Sequence, residues 1–170
     1  MEKKVTSPVV KGLIISMILI VISLVIYFTN QMGNKSLGWL QYLLFCGGII
    51  WACISYAKEM NANVTFGSVF SHGFKATALV IAIMAVYTLL AAKVIFPDMV
   101  DKGIEQARTQ MESQGKMSSD NIDTALEFTR KYFVPIAMGG IVLVFGILGC
   151  IASLIGAAAA KKNPQTPFNQ

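Results

Sequence analysis

Four long apolar stretches, at about 12–28, 37–56, 74–96 and 134–160, are joined by polar connections, and a charged segment at about 97–133 separates the last two. Each stretch is long enough to cross about 30 Å of hydrocarbon as a helix. None carries a charge near its middle. The apolar residues run on without the every-other-residue alternation of a barrel strand, and a helix satisfies its own backbone polar groups inside lipid. The pattern predicts an all-α integral membrane protein. It has four transmembrane helices, with an extramembrane helical hairpin between helices 3 and 4. The chain, 1–170, reads as one membrane domain with a flexible tail at 161–170.

The polar segments have patterns of their own. In 65–74, Phe66, Phe70 and Phe74 recur every four residues behind Thr65, a candidate N-cap. Two readings fit: a short interfacial helix turning near Gly73 into the third span, or a plain extension of that span. In the charged segment, Val100, Ile104, Ala107 and Met111 fall at helical spacing, with Asp98–Lys102 and Glu112–Lys116 as i,i+4 ion pairs. Gly115 to Ser119 reads as a turn, and Ser119 or Asp120 can cap a second helix. That helix has acids early and Arg130 and Lys131 late, as the helix dipole prefers. Its apolar face is Ile122, Leu126 and Phe133, widened by Ala125, Phe128 and Tyr132. Pro97 and Pro135 mark breaks or kinks at the two membrane borders.

Composition sharpens this picture. The apolar fraction is 55% and the charged fraction 14%, well below the roughly one quarter of a soluble domain. The net charge of +5 comes mostly from basic residues that collar the stretches, so membrane lipids with anionic headgroups are the expected partner. No basic stripe with stacking aromatics points to nucleic acid. Lys3, Lys4 and Lys11, then Lys58 and Lys75, then Lys161 and Lys162 share one side, against Lys35 in the first loop and a charged segment whose basic residues are set against seven acids on the other. This bias predicts cytoplasmic N- and C-termini and an extracytoplasmic hairpin. Tyr27, Phe28, Trp39 and Tyr42 fit the outer interface and Tyr56 the inner one, while Trp51 is expected to pack inside. The first stretch is longer than a signal-peptide core and no small-residue cleavage site follows, so it is read as a retained span.

The candidate chemistry is sparse. Gly149/Ser153/Ala157 and Ala152/Gly156/Ala160 form small-xxx-small ladders for helix packing, with Gly48/Ala52 and Ala78/Ala82 as complementary faces. His72, the only histidine, is expected to be an interfacial polar side chain, since Glu2 and Glu59 are the only carboxylates on its side. Cys46, Cys53 and Cys150 lie within apolar stretches and act as small apolar residues. Lys93 lies near a span end, where it can snorkel, and Asp98, Asp101 and Glu105 read as a solvated helix face. No metal site, cofactor or nucleophile relay is expected, and the chain is read as a non-enzyme. The hairpin face of Val100, Ile104, Met111, Ile122 and Leu126 is the candidate interaction surface, for a second copy or another membrane protein. The function expected is that of an accessory or interaction protein; the alternative is a small transporter or channel subunit assembled as an oligomer.

The run Asn63-Val64-Thr65-Phe66-Gly67-Ser68-Val69-Phe70-Ser71-His72-Gly73-Phe74, entering an apolar span that ends near Pro97-Asp98, resembles an uncharacterised bacterial family of four-helix membrane proteins. This is the Bacteroidetes-type domain of unknown function forty-one ninety-nine. The resemblance covers nearly the whole chain. It implies a bacterial inner-membrane protein and supplies no activity, ligand or catalytic residue.

Overall fold

The computed structural model describes residues 5–31, 34–115 and 118–163. Among these residues six α-helices run α1 (Pro8–Phe28), α2 (Lys35–Glu59), α3 (Phe66–Leu90), α4 (Asp98–Gln114), α5 (Ser119–Lys131) and α6 (Phe133–Ala159), and a π-helical stretch, Ala91–Ile95, continues α3. Helices α1, α2, α6 and α3 with its π-helical continuation are each long and apolar enough to cross a membrane, and the protein is an integral membrane protein. They pass up, down, up and down, so one end of the bundle carries both chain ends and the other carries the α4–α5 hairpin. Among these four, α3 packs against α1, α2 and α6.

The apolar residues are divided between two surroundings. Ile15, Leu19, Phe45, Ile49, Val80 and Phe145 form the dry centre, and Cys53, Ala57, Val69 and Ala157 continue it towards the chain ends. Outside lies an equally apolar surface, including Met17, Val21, Leu43, Val86, Leu143 and Ile147. In water such a coat would be an aggregation surface; in lipid it costs nothing. Trp51, expected inside, is 49% exposed and belongs to this coat.

Small residues determine where the helices touch. A side chain added at Gly149 would collide with Thr77, and one at Gly73 would meet Cys53 Sγ and, at 2.8 Å, Ser153 Oγ. Gly156 lies against Cys53 and Ile50. The ladder residues Gly149, Ala152, Ser153 and Gly156 are thus buried between α6 and its neighbours. Gly48 meets Ile15, and Ala52 is buried. The expected partner face Ala78/Ala82 is instead exposed, and α3 presents Gly73, Ala76, Thr77 and Val80 inward. A helix apolar on every side gives no sequence clue to which stripe meets protein and which meets lipid.

The helix ends correct several finer expectations. Helix α3 is continuous from Phe66, so residues 66–73 extend the span; Thr65 and Ser68 cap it reciprocally. Helix α5 is capped one residue earlier than expected, at Ser118, without a side-chain bond. Pro135 falls in the first turn of α6, where proline is tolerated, and the junction is Tyr132. Pro97 does mark a break, between the π-helical stretch and α4. Gly115 closes α4 with φ of 60°. The Glu112–Lys116 pair and the tail beyond residue 163 lie outside the described residues; Glu112 approaches Arg108 at 3.6 Å.

Candidate functional site

Polar groups gather at both ends of the bundle. At the hairpin end, the last turns of α1, the start of α2, the upper part of α3 and one face of α4 surround an open cleft of about 950 Å³. The base of α4 is fixed by Asp98. Its carboxylate accepts from the Tyr27 hydroxyl at 2.7 Å and pairs with Lys102 at 2.9 Å. The Lys102 ammonium also lies 4.9 Å from the centre of the Tyr27 ring, whose centroid is 3.8 Å from that of Phe96. Lys102 and then Tyr27 hold the Asp98 carboxyl below its ordinary value, and Asp98 raises the Lys102 ammonium. Two further ion pairs, Arg108–Asp123 and Arg130–Asp101, tie α4 to α5.

The walls of the cleft are mostly neutral. Amides come from Asn30, Asn34, Gln41, Gln106 and Gln110, with hydroxyls from Thr109 and Ser113. The floor descends into the spans. Tyr87 donates to Ser23 at 3.3 Å and Gln41 to the Leu19 carbonyl at 3.4 Å. Beyond them Leu19, Phe45 and Met84 close the bundle with apolar side chains. Glu105 is the one cleft-lining acid, and it has no ion pair among the described residues.

At the opposite end the polar groups are enclosed. Lys11, read from sequence as part of a solvated collar, is 1% exposed. Its ammonium pairs with Glu59 at 3.1 Å and lies 3.5 Å from the Ala52 carbonyl. Glu59 also accepts from the Thr6 backbone N–H at 2.7 Å and the Ser55 hydroxyl at 2.8 Å. Three donors thus converge on one carboxylate, which joins the entry of α1 to the end of α2. His72, near the start of α3, is likewise buried within the protein: it stacks on Tyr56 with centroids 4.2 Å apart. Among the described residues its Nε2 has no hydrogen-bond partner, and neither do Thr77 Oγ1 and Ser153 Oγ.

The residues singled out from sequence are distributed unevenly over these sites. Ile122 and Leu126 are buried and Val100, Ile104 and Met111 half-buried, so the apolar hairpin face is largely covered by the chain itself. The free face of α4 is the polar one that lines the cleft. Lys93 is exposed on the π-helical stretch. Of the acids Asp98, Asp101 and Glu105, two are ion-paired and only Glu105 lines the cleft. Among the described residues no three of His, Cys, Asp or Glu converge as metal ligands. Sequence reading missed the cleft amides, although Lys102/Gln106/Gln110 and Glu105/Thr109/Ser113 are two i,i+4 polar stripes visible in the sequence. It also missed the pairing of Lys11 with Glu59, which no local spacing reveals.

No curated protein and no solved structure matches the chain. A family model does, over residues 11–162, and the protein belongs to the family described as Protein of unknown function (DUF4199).

Proposed function

We propose that this is a non-enzymatic accessory protein of the bacterial inner membrane, which holds a partner protein in the cleft between its hairpin and its bundle. The carrying observation is the cleft itself: about 950 Å³, polar, open, and walled on one side by a helix whose apolar face is already covered. A hairpin braced by Arg108–Asp123 and Arg130–Asp101 can present that wall without a partner to shape it. Of the two short connections, the one between α2 and α3 carries Lys58 and the one between α1 and α2 only Lys35 at its end, while Lys75 and Lys161 flank the chain-end side of α3 and α6. This bias of the short flanks supports cytoplasmic termini, which puts the cleft outside the cytoplasm, and the basic residues of the hairpin are offset by its seven acids.

The test is photocrosslinking in living cells from positions Gln106 and Ser113, with Glu127 on α5 as the control. A discrete adduct from the cleft positions, absent from the control, is the expected result. Identical labelling from all three, or none, overturns the reading.

A second reading, a small transporter or channel subunit, draws on the polar floor of Ser23, Gln41 and Tyr87, which lies within the spanning helices. The apolar layer of Leu19, Phe45 and Met84 beneath it weighs against a continuous path. Solute flux into liposomes carrying the purified protein would favour this second reading.

A further inference from the structure

We infer that the occupant of the cleft is an extended peptide segment bearing a cationic group, its main chain held by side-chain amides and its charge set against Glu105. This rests on the reading of the cleft as the partner-binding surface and adds the chemistry of what it binds.

Three observations carry it. The first is the hydrogen-bonding character of the walls. An amide side chain offers donors and an acceptor together, which is what a strand of alternating N–H and C=O groups requires. Gln106 and Gln110 stand one helical turn apart on α4, about 6 Å, close to the two-residue repeat of an extended chain at about 6.6–6.8 Å. Asn30 contributes the same groups from the α1–α2 connection, whereas the Asn34 amide beside it is engaged, accepting from the Ser36 N–H as the cap of α2 and donating to Gln31.

The second observation is the state of the aromatic at the rim. Sugar rings are gripped by stacking on an open aromatic face. The Tyr27 ring is packed on Phe96 and carries the Lys102 ammonium over it, and its hydroxyl is committed to Asp98. A neutral glycan would find amides here but no stacking platform at this residue.

The third is the charge balance. Lys102 is neutralised by Asp98, whereas Glu105 has no counter-ion among the described residues. The charge left uncompensated among the described residues of the cleft is therefore negative. A lysine or arginine side chain, or a free amino terminus, completes it, and an acidic segment is repelled.

A library of random heptapeptides displayed on phage, panned against the full-length protein in lipid nanodiscs, tests the inference. Selected sequences are expected to be enriched several-fold in Lys and Arg at one position relative to the unselected library and to selection on empty nanodiscs. Glu105→Gln, an exposed and conservative change, should abolish that enrichment while peptides continue to bind; Gln106→Ala with Gln110→Ala should weaken binding of all of them. Chitotetraose, a neutral oligosaccharide, should not compete. The inference fails if no peptide is enriched over empty nanodiscs, if the basic preference survives Glu105→Gln, or if chitotetraose displaces the selected peptides. Should it fail while cleft-specific crosslinks in cells persist, the partner-binding reading stands and only the peptide chemistry is wrong; loss of the crosslinks removes both.

Discussion

Two lysine–carboxylate pairs close the two ends of this bundle, alike in chemistry and opposite in surroundings. Lys11–Glu59 is enclosed, with the lysine 1% exposed and the carboxylate bound by a backbone N–H and a hydroxyl as well. Lys102–Asp98 stands in solvent at a similar separation and shares its carboxylate with Tyr27. Water sets the difference. A buried charge that loses its partner has nothing to replace it, whereas an exposed one is resolvated at once. The chain-end side is therefore built as a lock, and the hairpin end as an adjustable wall around a wet cleft.

The sharpest way to break this contrast is to remove one partner at each end. Glu59→Ala strands the Lys11 ammonium and should cost about 3–5 kcal/mol. Thermal unfolding in detergent should show a large drop in midpoint, and the double change Lys11→Met with Glu59→Leu should recover much of it. Asp98→Ala, in the same assay, should barely move the midpoint. Equal effects from the two single changes would show that the buried pair is solvated after all.

A glycine comparison along α6 is expected to give a smaller effect. Gly149 faces Thr77 with no room for a side chain, while Gly140, nearer the hairpin, has open space around it. Gly149→Ala should destabilise by about 1–3 kcal/mol through overpacking, whereas Gly140→Ala should be neutral or stabilising by up to about 1 kcal/mol from helix propensity. Matching outcomes at the two sites would mean that the α3–α6 seam is not the tight one.

The smallest effect concerns pH at the base of the hairpin. Asp98 is held below its ordinary 3.8, so its contribution is present above that value and disappears as pH falls through the lowered one. Lys102 is raised above 10.5, so its contribution is present below that value and is lost as pH rises through the raised one. Spin labels on Asn30 and Ser113 should therefore report a constant distance across the neutral range. Widening is expected only at the two extremes; a transition near neutrality would assign the hairpin anchor to other groups.

How much of this was legible in sequence follows from the range of each interaction. The four spans, the hairpin, the Thr65 cap and the Asp98–Lys102 pair rest on spacings of a few residues, and the structure has them. The ladders on α6 were visible as composition, but their partner stripe on α3 was not, because apolar residues line both its protein and its lipid faces. Lys11 looked like a collar lysine because a flank position says nothing about a carboxylate on another helix. The burial of His72 was out of reach for the same reason: its stacking partner Tyr56 comes from α2. The cleft needs four helices to exist, so only its α4 stripe could have been noticed beforehand.

The π-helical stretch Ala91–Ile95, where the Phe96 N–H reaches back to the Ala91 carbonyl at 2.8 Å, acts as slack ahead of the α4–α5 hairpin. Such a stretch holds one residue more than an α-helical turn can accommodate. Because the wide turn absorbs that residue, removing it would return α3 to regular winding and leave α4 close to its present heading. A deletion in the regular part of α3 has no such slack and would turn everything after it by about 100°. Glu105 and Gln106 would then point away from Asn30 and Asn34, with every one of those side chains still in the sequence. The heading of the hairpin is thus encoded in chain length along α3, and the π-helical stretch is where that length can change by one residue with least disturbance of the cleft.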